Sequence, residues 1–241
     1  MRHALITSLA AASALTVAVT ASAPQGITAD ALIARNHQAK GGLDKIKAVQ
    51  SLKQTGRVTM QGMEAPMTIY LRRPNLLRQE IAVAGQTIVN AFDGTTAWLV
   101  NPLTGSTNPM VISGPDAETT KEQSDFDGPL VDSQAKGYVI ELVGIEALSG
   151  RQAYHLKVVD RRLHAQHCYL DAETALEMKI VSETPGGAIE QELSDWRPVE
   201  GVTLPFSLRT SAGGRVMLQL AIQKVEMNLT LDDALFKLPV R

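Results

Sequence analysis

The chain has 241 residues, 44% of them hydrophobic and 20% charged, which fits one sizeable folded domain and excludes a largely disordered chain. A formal net charge of −2 leaves no broad basic field with which to hold nucleic acid. The single cysteine, Cys168, permits no internal disulfide, so stability has to come from core burial.

The first residues have the form of a secretory signal. Arg2 and His3 give a short polar start, Ala4 to Val19 is an alanine-rich apolar run too short to span a bilayer, and Val19-Thr20-Ala21 offers the small residues a signal peptidase reads. Cleavage is expected after Ala21, because a cut after Ala23 would place Pro24 next to the scissile bond. Residues 1–21 are then a signal peptide and 22–241 a single domain. No cysteine sits near the cleavage site to carry a lipid, so the expected location is the periplasm, in soluble form.

Ile27 to Gln50 is helical in character. Leu32, Ile33, Leu43, Ile46 and Val49 recur at three- and four-residue steps, Thr28 is a candidate N-cap with Asp30 in the first turn, and Gly41-Gly42 should break the helix. From Leu52 the period changes to two. Met67, Ile69 and Leu71 alternate with Thr68, Tyr70 and Arg72, and Leu218, Leu220 and Ile222 alternate with Gln219, Ala221 and Gln223. Such alternation puts one face on a core and the other toward water. Links such as Pro74-Asn75, Asp93-Gly94, Gly186-Gly187 and Gly213-Gly214 are short, so successive strands should pair antiparallel. The pattern predicts about ten or eleven strands in a mainly β (α+β) chain. Pro115 to Asp127 interrupts it as an inserted helical lid that should pack across the open side of a curved sheet.

Motifs for chemistry are sparse. The chain has no Gly-x-Ser-x-Gly elbow, Walker loop or dinucleotide fingerprint. His164 and His167 would lie on opposite faces of a strand, which disfavours joint metal ligation. Asp125 with Asp127 and Asp232 with Asp233 stand at turns or helix starts, where aspartate caps backbone amides. Cys168, in an apolar strand pattern, is expected to be a buried and inert thiol, and Trp98 and Trp196 to close the ends of a sheet or cover turns. No catalytic residues, metal ligands or cofactor are assigned, and the chain is not expected to be an enzyme.

Several segments together resemble a known group. Asp93-Gly94-Thr95-Thr96-Ala97-Trp98, Asn101-Pro102, Asp125-Phe126-Asp127-Gly128-Pro129-Leu130, Lys136-Gly137-Tyr138 and Asp195-Trp196-Arg197-Pro198 through Pro205-Phe206 are similar to outer-membrane lipoprotein-sorting-like proteins of the LolA/LolB superfamily. Gly41-Gly42-Leu43-Asp44-Lys45-Ile46 and the block from Leu71-Arg72-Arg73-Pro74-Asn75 to Arg78-Gln79-Glu80 fit as well. The resemblance implies a half-open antiparallel β-barrel whose apolar interior receives the acyl chains of a lipid or lipoprotein, with a membrane-protein donor or acceptor as a further partner. The interior candidates, taken from the alternation, are Met67, Ile69, Leu71, Ile81, Ile88, Phe92, Leu218, Leu220 and Ile222, with Arg78 at the rim for a polar headgroup. The alternative reading is an envelope protein-interaction or sensor module that uses the same fold without lipid transport.

Overall fold

The structure is a computed structural model that describes residues 26–239; the expected signal peptide lies outside the described residues. The N-terminal helical segment forms as two pieces, α1 (Ala29–Ala39) and α2 (Leu43–Ala48). Thr28 caps α1 by accepting a hydrogen bond from the Ala31 amide at 3.2 Å. Gly41 has to be glycine: its φ is +107°, and a Cβ there would sit 2.1 Å from the Gly201 carbonyl oxygen. That contact seats the α1–α2 turn on a later hairpin, where the Thr203 amide donates to the Lys40 carbonyl at 3.0 Å.

The rest is mainly β. The first group of strands is β1 (Ser51–Met60), β2 (Met63–Arg72), β3 (Leu76–Val83), β4 (Gln86–Phe92), β5 (Ala97–Val100) and β6 (Met110–Val111). Two helices follow, α3 (Pro115–Gln123) and the four-residue α4 (Ser133–Lys136). The second group is β7 (Val139–Leu148), β8 (Arg151–Val159), β9 (Ala165–Asp171), β10 (Glu177–Thr184), β11 (Gly187–Val199), β12 (Val202–Ala212) and β13 (Arg215–Met227). These thirteen strands of the described residues exceed the ten or eleven expected. Part of the excess is β6, a two-residue strand too short to show a period.

All thirteen form one open antiparallel sheet, in the order β6-β5-β4-β3-β2-β1-β13-β12-β11-β10-β9-β8-β7. Each group is a meander, and the first and last strands join the two groups. The sheet edges, β6 and β7, are consecutive in the chain, so the segment between them has to travel from one edge to the other. It does so with α3, α4 and the stretch between them. Register shifts at Thr55/Gly56, Leu142/Gly144, Glu177/Lys179 and Thr210/Ser211 mark bulges, which bend strands and let a sheet curve.

Register defines the two faces. Leu52, Leu71, Leu77 and Phe92 face one another across β1 to β4, and the same inner face continues through Leu220, Leu208 and Leu193 to Ile180, Cys168 and Leu156. On one half of it Leu32 and Ile33 of α1 pack against Tyr154, Leu156 and Leu170. On the other half Ala117 of α3 packs against the cluster of Val58, Met67, Ile69 and Phe206, while Thr120 is within 3.3 Å of Asn90. The inserted helix therefore lies across the inner face, as the sequence predicts. The outer face of β3 to β5 is covered too: Trp98 is fully buried there and donates its indole N–H to the Phe236 carbonyl at 2.9 Å. No helix of the described residues is long and apolar enough to cross a membrane.

Candidate functional site

Between α1, α3 and α4 a strap, Phe126 to Leu130, crosses the inner face and roofs a cavity of about 250 Å³. Its floor is Leu52 and Leu71 on one side and Cys168, Ile180, Leu193 and Leu204 on the other. A recess of about 60 Å³ extends it toward Ile46, Val49 and Met227. The walls are mostly apolar because the strands that line the cavity turn mainly the inward half of their alternation to it. The strap is fixed by charge. Arg73 donates to both carboxylate oxygens of Asp127, at 2.6 and 2.8 Å, and to the carbonyls of Ile46 and Val49. Lys136 holds Asp125 and also donates to the Gly128 carbonyl at 2.8 Å. Both aspartates thus have a structural task, through ion pairs that tie down the strap rather than through helix capping alone.

One end of the cavity is polar. Lys40, at the C-cap of α1, donates to Glu177 Oε1 at 3.0 Å, and the two side chains are only 16% and 9% exposed. Burial pushes the Glu177 carboxyl up, but the Lys40 ammonium more than offsets this and holds it below its ordinary value. Glu177 Oε2 is buried without a hydrogen-bond partner. Glu177, Leu193 and Trp196 also line a second hollow, of about 330 Å³. The two hollows share these residues beyond the end of the β10–β11 ladder. That ladder starts only at Lys179–Glu192, leaving Glu177 and Met178 unpaired with the part of β11 that runs past them.

All nine apolar candidates lie on the inner face. Leu71 lines the cavity itself. Met67, Ile69, Phe92 and Ile222 pack in the cluster beside it, with Ile81, Leu218 and Leu220 half-buried against that cluster. Ile88 stands opposite Ile81. Arg78 is on the other face, because it pairs with Tyr70 and Ala91 on the opposite phase of the alternation. There its guanidinium bonds Glu80 at 2.6 Å and the Leu235 carbonyl at 3.0 Å. It holds down the C-terminal segment instead of facing a cavity rim.

Lys40, Glu177 and Trp196 form the polar end of the cavity, and strand alternation could not group them, since one is a helix cap and the others lie beyond the end of the β10–β11 ladder. Sequence spacing also misses a pair on the outer face. His155 and His167, on adjacent strands, approach to 2.7 Å between Nε2 and Nδ1, with Glu146 and Glu183 on their other nitrogens. His164 is apart from them, in the turn held by Asp160. Among the described residues no three His, Cys, Asp or Glu side chains are grouped to hold a metal. Cys168 is a buried free thiol, and burial pushes it well up, which disfavours the reactive thiolate.

Comparison with known proteins bears on the fold. No family model matches the chain. No curated protein matches it either. Solved structures do. A LolA superfamily protein from Nitrosomonas europaea superposes with a TM-score of 0.59 at 12% identity, covering 88% of this chain and 98% of its own. The chain has a LolA-type fold. A DUF1329 family protein from Desulfovibrio piger gives the same TM-score of 0.59 at 13% identity, over 84% of this chain and 95% of its own. An outer membrane lipoprotein-sorting protein domain from Vibrio parahaemolyticus gives 0.55 at 13% identity, over 82% and 97%. At such identities the likeness to each of them is one of architecture.

Proposed function

We propose that this protein is a periplasmic shell that shelters an acyl chain of a lipid or lipoprotein and carries it through water between membranes. The observation that carries the reading is the apolar cavity under the Phe126–Leu130 strap, set inside a LolA-type fold. Each buried methylene is worth about 0.8 kcal/mol, so a chain of ten carbons gains several kcal/mol from such a wall without any chemistry. The cavity of about 250 Å³ is below the roughly 300–1,000 Å³ of drug-sized ligand sites, so as it stands it takes one chain and not two. A longer chain would run on from Leu71 over Ile69, Met67 and Ile222, displacing the packing of α3. Native mass spectrometry of the mature protein purified from its own periplasm tests the reading. A bound mass in the lipid range, lost on organic extraction, is the expected result. An apo mass together with failure to bind a fluorescent acyl probe would overturn it, and a co-purifying protein would then favour an interaction module.

A further inference from the structure

We propose that Glu177 anchors the polar end of a single-chain amphiphile whose headgroup donates a hydrogen bond, as an amine or hydroxyl does, while its chain lies in the cavity. The inference rests on the lipid-shell reading and adds a headgroup class to it. A buried carboxylate oxygen normally has a donor, because leaving a charged acceptor bare in a dry site is costly. Glu177 Oε1 has Lys40, but Oε2 is buried without a hydrogen-bond partner on a side chain that is 9% exposed, and the Asn36 amide near the carboxyl is engaged with the Ala175 carbonyl at 2.8 Å. Oε2 can therefore accept a further hydrogen bond from a bound group.

The surroundings point the same way. Glu177 sits beyond the end of the β10–β11 ladder and lines both the apolar cavity and the second hollow. A headgroup in that hollow, with its chain in the cavity, would meet Oε2 between them. The hollow presents Arg151 and Lys179 against Asp171, Glu177, Glu192 and Asp195. Both cations are already engaged, Arg151 with Asp171 at 2.7 Å and Lys179 with Glu190. An anionic head would find no free cation and a bare carboxylate oxygen, whereas an ammonium or hydroxyl would complete the hydrogen bonding.

The test compares decylamine, decanol and decanoate, which share a chain and differ in head, as competitors of a fluorescent acyl probe on the mature protein at about pH 7. Decylamine and decanol should displace the probe better than decanoate, decylamine by at least about tenfold, the scale of one charge-assisted hydrogen bond. Glu177→Gln should lose or reverse that order, with each displacement read against the variant's own probe affinity. Lys40→Met should bind decylamine more tightly than the parent, since the competing cation is gone, and its melting temperature should rise with decylamine. Preference for decanoate in the parent, or an order unchanged in Glu177→Gln, would overturn the anchor and leave the shell standing. If the parent binds neither probe nor amphiphile, both fall. If Glu177→Gln does not fold, Lys40→Met decides alone, and unchanged or weaker amine affinity overturns the anchor.

Discussion

Arg73 and Asp127 are joined by two parallel hydrogen bonds of 2.6 and 2.8 Å, with Asp127 only 7% exposed. The pair links the turn between β2 and β3 to the strap over the cavity, and Arg73 also stacks on Phe126 at 4.8 Å. A planar guanidinium can serve a carboxylate, two helix carbonyls and a ring at once, which a lysine cannot. Arg73→Lys should therefore destabilise by about 2–3 kcal/mol, below the cost of breaking a fully buried pair because Arg73 keeps some solvent contact. Hydrogen exchange should speed up in residues 126–130 before it does in the strands. Unchanged exchange in the strap would show that it is held by its apolar contacts instead.

The Lys40–Glu177 pair carries a pH signature. Glu177 is held below its ordinary carboxyl value in the folded protein, so its contribution to stability is present above the unfolded value near 4.5 and is lost as pH falls through the lower folded value. Lys40→Met reverses the sign, because burial alone then favours the neutral acid. The variant should lose about 3–5 kcal/mol at neutral pH, the cost of stranding one partner of a buried pair. The deficit against the parent should shrink as pH falls from neutrality toward the ordinary carboxyl value near 4.5, read in urea titrations. A deficit independent of pH would place the loss in packing of the lysine stem.

Cys168 offers a probe inside the cavity. Burial raises its thiol far above the ordinary range, and it is 3% exposed. Reaction with a thiol reagent at about pH 8 should be slow in the native protein and immediate in denaturant. Loosening the strap with Arg73→Lys should accelerate labelling without global unfolding. Equal rates in parent and variant would mean that the strap does not gate access to this wall.

How much of this was legible in the sequence follows from the range of each interaction. The α1 cap at Thr28, the diglycine break and the inward phase of Met67, Ile69 and Leu71 are set by neighbours a few residues away, and each is where the pattern puts it. Lys40 and Glu177 are 137 positions apart and meet only because α1 packs on the inner face of β8 to β10. The His155–His167 contact depends on the β8–β9 register, which two histidines twelve positions apart do not reveal. Arg78 shows the opposite limit: its phase was readable, since it alternates with Leu77 and Gln79, yet the partner that occupies it arrives from residue 235.

That returning segment makes the last prediction. Phe236 is fully buried, its carbonyl accepts the Trp98 indole N–H at 2.9 Å, and Arg72 donates to the Leu231 carbonyl at 2.8 Å beside it. The segment seals the outer face of β4 and β5, where Val89, Ala91 and Trp98 form an apolar cluster with Leu238. Phe236→Ala removes the ring and leaves a cavity, so it should cost about 3–5 kcal/mol. The chain has two tryptophans, so in a Trp196→Phe background the fluorescence reports Trp98 alone. Its emission should be blue in the parent and shift red in the Phe236→Ala variant as water reaches the indole. The inner cavity lies on the opposite face, so acyl-probe affinity should stay unchanged under conditions where the variant is folded. Loss of probe binding with an unshifted tryptophan spectrum would show that the C-terminal segment acts on the cavity and not on the outer face.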